Sequence, residues 1–345
     1  MLIKKFFAVL IPVAIAIIFS ACPGGYGYKY NHGKIPEEAT DFEEINSEYD
    51  DYNITAPFIR DVFPLVFSSN RNSNGGQFDY IYKLVAVNFD KETAEFSVYN
   101  EKKASSDVVF RYSNITSILQ SVNSLQNEYG PYLIPVESLE NRQYGYVLVY
   151  TYEENGNMDI KYYCDTEKLK DEKPSGIKWV NTAHNEGYPC FDRNFSKMYY
   201  CSDENGNYDI YEIPTGIDSI AYYSQVLDSV LVQSFSDSVS RQKTLLQVLS
   251  SPADDKCPFV DFDVMVFASD RDGGFGGFDL YYSKFVDGNW TEPVNFGENV
   301  NTPYDEYRPV LRRGRGFDND FLIFSSNRPG GKGGFDLYYA GVEIE

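Results

Sequence analysis

Phe267-Ala-Ser-Asp-Arg-Asp-Gly-Gly-Phe-Gly-Gly-Phe-Asp-Leu-Tyr281 decides the fold, because the chain writes it again as Phe324-Ser-Ser-Asn-Arg-Pro-Gly-Gly-Lys-Gly-Gly-Phe-Asp-Leu-Tyr338. A third copy runs from Phe67-Ser-Ser-Asn-Arg71 to Phe78-Asp-Tyr-Ile-Tyr82, and shorter ones occupy Tyr150–Tyr162 and Tyr200–Tyr211. The glycines and short Asp or Asn residues suit a turn between two strands, and the aromatic and β-branched flanks suit the strands themselves. A block recurring at this spacing marks a repeat architecture.

A second block precedes each copy. Val300-Asn-Thr-Pro-Tyr-Asp-Glu-Tyr-Arg-Pro309 matches Val180-Asn-Thr-Ala-His-Asn-Glu-Gly-Tyr-Pro189 and Val122-Asn-Ser-Leu-Gln-Asn-Glu-Tyr-Gly-Pro131. Leu249-Ser-Ser-Pro-Ala-Asp-Asp-Lys-Cys-Pro258 and the stretch from Ile45 to Pro57 keep the frame. Units starting at residues 45, 122, 180, 249 and 300 are each long enough for a four-stranded sheet. Such sheets bury both faces by stacking radially, so the expected fold is all-β: a β-propeller of five recognisable four-stranded blades over residues 45–345. The interval 83–121 has room for a sixth, divergent blade. The last unit stops after its third strand, and Lys34-Ile-Pro-Glu-Glu38 stands where a closing N-terminal strand is needed. The insertion 217–249, with Leu227, Val230 and Leu231, carries helical spacing.

The blocks resemble the WD40-like (PD40) repeats of TolB-type propellers, which share a Ser-Asp-Arg turn, a glycine-rich loop and an aromatic-Asp-apolar-Tyr strand. That resemblance implies a protein-binding or scaffold component of the cell envelope. It leaves two alternatives: a surface glycan-binding protein or carboxylate-dependent glycoside enzyme, and an accessory part of a secretion or motility apparatus. An envelope protein is the partner the resemblance implies, with a glycan as the alternative.

Lys4 and Lys5 precede an apolar run from Phe6 to Phe19 that ends in Ser20-Ala21-Cys22. This reads as a lipoprotein signal peptide over 1–21 with Cys22 as the lipid-bearing residue, followed by a tether and closing strand over 22–44. The expectation is an outer-membrane lipoprotein held only through its anchor, facing the periplasm because no acidic run follows Cys22. Without the leader and its two lysines, 28 basic residues face 51 acidic ones, a net charge of −23. Such a charge argues against nucleic acid as a partner.

Candidate functional residues fall into several groups. Asp51, Glu128, Glu186, Asp255 and Glu306 recur in the connectors, where first strands bring five carboxylates toward one channel mouth. Repetition points to a structural hydrogen bond in each blade, with a cation site or an acid pair as the alternative. Arg308, Arg312, Arg313 and Arg315 break the acidic character of the last unit and are candidate partner contacts. Cys190 and Cys201, on neighbouring strands of one hairpin, are the candidate disulfide. Ser219, Ser229 and Ser238 sit in Asp-Ser-apolar tripeptides resembling an O-glycosylation acceptor motif. Asp270, Asp272 and Asp279 resemble a calcium loop, although the Asp at 79, 159, 209, 279 and 336 recurs as a turn residue would. No other cofactor is expected, and the two histidines, His32 and His184, suggest no metal site.

Overall fold

The computed structural model describes residues 32–58, 61–137, 143–220, 224, 226–313 and 316–344. It is a β-propeller of five blades, each an antiparallel sheet whose strands lie in consecutive order. Blade one holds Asp51–Thr55, Val62–Ser69, Asp79–Phe89 and Phe96–Asn100; blade two holds Asn127–Glu137, Tyr144–Glu154, Asn157–Asp165 and Ser175–Gly176. Blade three comprises Glu186–Phe191, Lys197–Ser202, Asp209–Pro214 and Thr244–Leu245. Blade four comprises Asp255–Asp261, Val264–Ser269 and Asp279–Val286, edged by Asn289–Trp290 and Val294–Asn295.

Blade five is made by both ends of the chain. Glu306–Arg312, Asp320–Ser326 and Asp336–Val342 take Thr40–Asp41 as their fourth strand, with Thr40 opposite Tyr339 and Asp41 opposite Tyr338. The closing strand lies just after the expected 34–38 stretch, which serves as its lead: Ile35 N–H donates to Asn319 Oδ1, and Ile35, Phe42 and Ile45 are buried. The first strands of successive blades contact one another around the axis, and the first strand of blade five meets that of blade one.

No sixth blade forms in 83–121. That interval finishes the third and fourth strands of blade one and then winds into two helices, α1 (Ser106–Tyr112) and α2 (Asn114–Val122). Ile115, Ile118, Leu119 and Val122 are buried, at the spacing of one helical face. The insertion in blade three contains α3 (Leu227–Ser236), whose Leu227, Leu231 and Phe235 are buried. Phe235 packs against Tyr162, Trp179 and Phe191 at 5.2, 6.3 and 5.9 Å between ring centroids.

The connectors are latches between blades. Asn46, Asn123, Asn181 and Asn301 each use the side-chain amide to hold both backbone groups of one third-strand residue: Leu337, Tyr80, Ile160 and Leu280. This satisfies an edge that a sheet in isolation leaves open. The first strands share a further irregularity. Each skips register one residue after its connector acid, and the next residue adopts a left-handed backbone: Asn53, Gly130, Tyr188, Cys257 and Arg308, with φ of 56, 52, 56, 58 and 48°. All five are buried where the first strands converge.

Candidate binding site

The five connector acids are fully buried and belong to the scaffold. Glu306 accepts from Thr302 N and Oγ1 at 2.8 and 2.6 Å, from Ser326 Oγ at 2.9 Å and from Arg328 Nη2 at 3.0 Å. Asp51 accepts from Ser47 N and Arg71 Nη2, and Asp255 accepts from Ser251 N and Arg271 Nη2. The same three guanidinium groups also donate to the carbonyls of Val300, Ile45 and Leu249, where their connectors begin. This is the work of the Ser-Asp-Arg turn: its arginine neutralises a carboxylate that burial would otherwise penalise by several kcal/mol.

Blades two and three lack that arginine, having Glu154 and Glu204 in its place. In blade three Lys243 pairs with Glu204, and Glu186 is held by Thr182 and Ser202. Glu128 has less. Ser124 Oγ donates to Oε1 at 2.5 Å, and Oε2 is buried with no partner among the described residues. Burial, with a smaller repulsion from Asp79, raises the Glu128 carboxyl to about 7.

The arginine cluster differs from expectation. Arg312 pairs with Asp261 of blade four at 2.9 Å and donates to Ala56 O of blade one, and Arg313 pairs with Asp263 at 2.6 Å. Arg312 therefore ties blade five to both neighbours, Arg313 makes an exposed pair with blade four, Arg308 is buried at the channel, and Arg315 lies outside the described residues. Cys190 faces Tyr199 and Cys201 faces Gly187 across their hairpin, a register that offsets the two sulfurs, and both are free buried thiols instead of the expected bridge. Cys22 also lies outside the described residues. Ser219, Ser229 and Ser238 are exposed, whereas Asp228 of the middle tripeptide is buried and accepts from Thr166 Oγ1. In the loop that resembled a calcium site, Asp279 Oδ2 accepts from Phe275 N and Asn295 Nδ2, and Asp270 Oδ1 from Asp254 N, while Asp279 Oδ1 is buried with no hydrogen-bond partner among the described residues.

The feature that sequence reasoning passed over is a ring of aromatic side chains at one end of the channel. The residues directly after the connector acids give Tyr52, Tyr129 and Tyr307, and the residue before the recurring Asp gives Phe78, Tyr208, Phe278 and Phe335. All seven are half-buried. They pack edge to face or tilted, Tyr52 with Phe78 at 4.8 Å and with Phe335 at 5.6 Å, and Phe278 with Tyr307 at 5.3 Å. Five of them, Tyr52, Tyr129, Phe278, Tyr307 and Phe335, bound a cavity of about 360 Å³, which Tyr188 and Asp305 also line. Asp305 is fixed by Phe278 N and Asn327 Nδ2 at 3.0 and 2.9 Å. Burial pushes the Tyr129 phenol up to about 12 and those of Tyr52, Tyr188 and Tyr307 well above their usual value, so all four stay neutral hydroxyls. Lys256 stands over Tyr208 at 4.1 Å and pairs with Asp254. The signal in the sequence was the aromatic directly before four of the five recurring Asp residues, with Met158 before Asp159, a pattern that strand alternation alone explains equally well.

No family model matches the chain, and no curated protein does. The TolB-type repeat resemblance therefore has no family model behind it. Among solved structures, the chain is similar to the catalytic domain of a GH62 α-L-arabinofuranosidase from Coprinopsis cinerea, at 11% identity and TM-score 0.45 over 91% of this chain and 98% of that one. A glycosyl hydrolase from Bacteroides ovatus is similar at 10% identity and TM-score 0.42, over 90% and 96% of the two chains. A TolB-like protein from Agrobacterium tumefaciens gives 12% and 0.38, over 85% and 79%. No residue role passes to this chain from likenesses of that degree.

Proposed function

We propose that this chain is a glycan-binding propeller of the cell envelope, tethered through Cys22, that takes a saccharide into the aromatic mouth of its channel and does not cleave it. The observation that carries this reading is the 360 Å³ cavity lined by the half-exposed aromatics Tyr52, Tyr129, Phe278, Tyr307 and Phe335. A sugar ring has apolar C–H faces and a polar rim. It therefore matches a concave site of aromatic faces with a few convergent polar groups, here the neutral phenols and Asp305. The volume lies in the small-ligand range of about 300–1,000 Å³, whereas a stable protein partner needs roughly 800 Å² of surface on each side. Binding is favoured over hydrolysis because four connector carboxylates are committed to scaffold hydrogen bonds, while acid catalysis needs one protonated and one free carboxylate on either side of the scissile bond.

Calorimetric titration with a panel of soluble oligosaccharides tests it. At least one should bind, Tyr129→Ala and Tyr307→Ala should each weaken it about tenfold or more, and no new reducing ends should appear. Failure of every saccharide to bind overturns the glycan reading, and release of reducing ends overturns the non-catalytic one.

A further inference from the structure

The five left-handed positions share one backbone conformation and differ entirely in side chain: Asn53, Gly130, Tyr188, Cys257 and Arg308. The bend belongs to the fold, so the side chains are where this layer of the channel is individual. Arg308 is fully buried and reaches from blade five across the axis to blade two, where Nη2 donates to Pro131 O at 3.1 Å. Its Nε and Nη1 have no partner, and no carboxylate pairs with it among the described residues. Asn53, also fully buried, leaves both Oδ1 and Nδ2 without partners.

A guanidinium stays charged at every accessible pH, and a buried charge without a counter-ion is strongly disfavoured. The three part-buried arginines of the Ser-Asp-Arg turns each have an acid: Arg71 has Asp51, Arg271 has Asp255 and Arg328 has Glu306. The nearby thiols do not serve, because burial holds Cys257 at about 11 and Cys190 at about 12. At the same layer Gly130 lets Tyr188 pack close against blade two: a Cβ there would meet Tyr188 Cδ1 at 2.7 Å. The Arg308 guanidinium carbon stands 5.7 Å from the Tyr188 ring, and Tyr188 lines the cavity, so a single ring separates the aromatic mouth from the charge.

We infer that Arg308 and Asn53 form an anion site in the channel beneath the mouth, taking a carboxylate group. Arg308 supplies the charge and N–H donors, and Asn53 Nδ2 supplies a neutral donor. The carboxylate comes either from an acidic sugar seated in the mouth, which rests on the glycan reading above, or from a small free carboxylate, which does not.

The test uses glucuronate and glucose as a matched pair, acetate as the free anion, and constant ionic strength throughout, read by calorimetry and thermal melting. A sugar-borne carboxylate gives glucuronate about tenfold or greater preference over glucose, the worth of one charge-assisted hydrogen bond, with no response to acetate. A free anion gives an acetate-dependent rise in Tm and no preference between the sugars. In either case Arg308→Met abolishes the response. Asn53→Asp, which supplies the carboxylate from the chain itself, abolishes it while leaving Tm at or above the wild-type value, and this second variant decides the matter if the first does not fold. An acetate response that survives alongside absent sugar binding sinks the glycan reading and leaves the site standing. Sugar binding with no charge preference and no acetate response, or either response unchanged in Asn53→Asp, overturns the site.

Discussion

Glu128 shows what one missing arginine does. Its carboxyl titrates at about 7 in the folded chain against an ordinary 4.5, because burial opposes its charge. Between those values the folded chain holds a proton that the unfolded chain has released, so this group's contribution to stability falls as pH rises from about 4.5 to about 7 and is constant above. Glu128→Gln keeps an acceptor for Ser124 and removes the titration. The variant should exceed wild type in stability at pH 8 by on the order of 2 kcal/mol, with the gap closing toward pH 5, as measured by urea unfolding at both pH values. An offset equal at both would sink the assignment. The five acids were legible from their spacing, and so was their structural use. The exception at blade two was written in the sequence as well, as Glu154 where other units have Arg71, Arg271 and Arg328. Arg312 was not legible: its partner Asp261 lies 51 residues earlier in another blade, and an arginine-rich turn reads as exposed unless that neighbour is known. The mouth was hidden for a different reason. Tyr52, Tyr129 and Tyr307 fit strand alternation, and only the skipped register after each of them sets them apart from ordinary strand residues.

At the level of elements, the connector does more than join blades. Asn301 accepts from Leu280 N at 2.8 Å and donates to Leu280 O at 3.0 Å, both buried, fastening the start of blade five to the third strand of blade four. Four connectors carry this asparagine, and the one before blade four has Ser250 instead, whose hydroxyl turns back to Leu246 O. Asn301→Ala leaves a buried N–H and carbonyl underused, so it should destabilise the fold by about 2–4 kcal/mol, and Ser250→Ala by less than about 1 kcal/mol. Equal effects in chemical unfolding would show that the latch carries no special weight. The repeated Asn was visible in the sequence, but its partner was not, since the bond runs backward over 21 residues here and 43 in blade one. Beyond the strands that complete blade one, the interval 83–121 builds no sixth blade because Ile115, Ile118, Leu119 and Val122 repeat at three and four residues, a helical period that the search for a further blade overlooked.

For the whole molecule, closure decides whether five marginal sheets act as one body. Each blade has an outer strand of its own except the last, which borrows Thr40–Asp41. The pairing covers two residues, but the segment also buries Ile35, Phe42 and Ile45, sets Asn46 on Leu337 and lets Arg71 reach Ile45 O. Its grip is therefore mostly apolar: three buried side chains at about 1.5–3 kcal/mol each outweigh two strand residues. The incomplete last unit made this closure legible, since a sheet of three strands at the end of a repeat series requires a fourth from elsewhere. A chain beginning at Ser47 should lose on the order of 5–9 kcal/mol, lowering its urea midpoint and exposing blade five first to hydrogen exchange. A synthetic peptide of residues 32–46 added in trans should bind the truncated chain and recover part of that loss, because it restores the same buried contacts at the expense of association entropy. If the truncated chain unfolds at the wild-type midpoint, or if the exchange loss appears first in blade two or three, the ring is held shut by the contacts among its five first strands and not by the borrowed one.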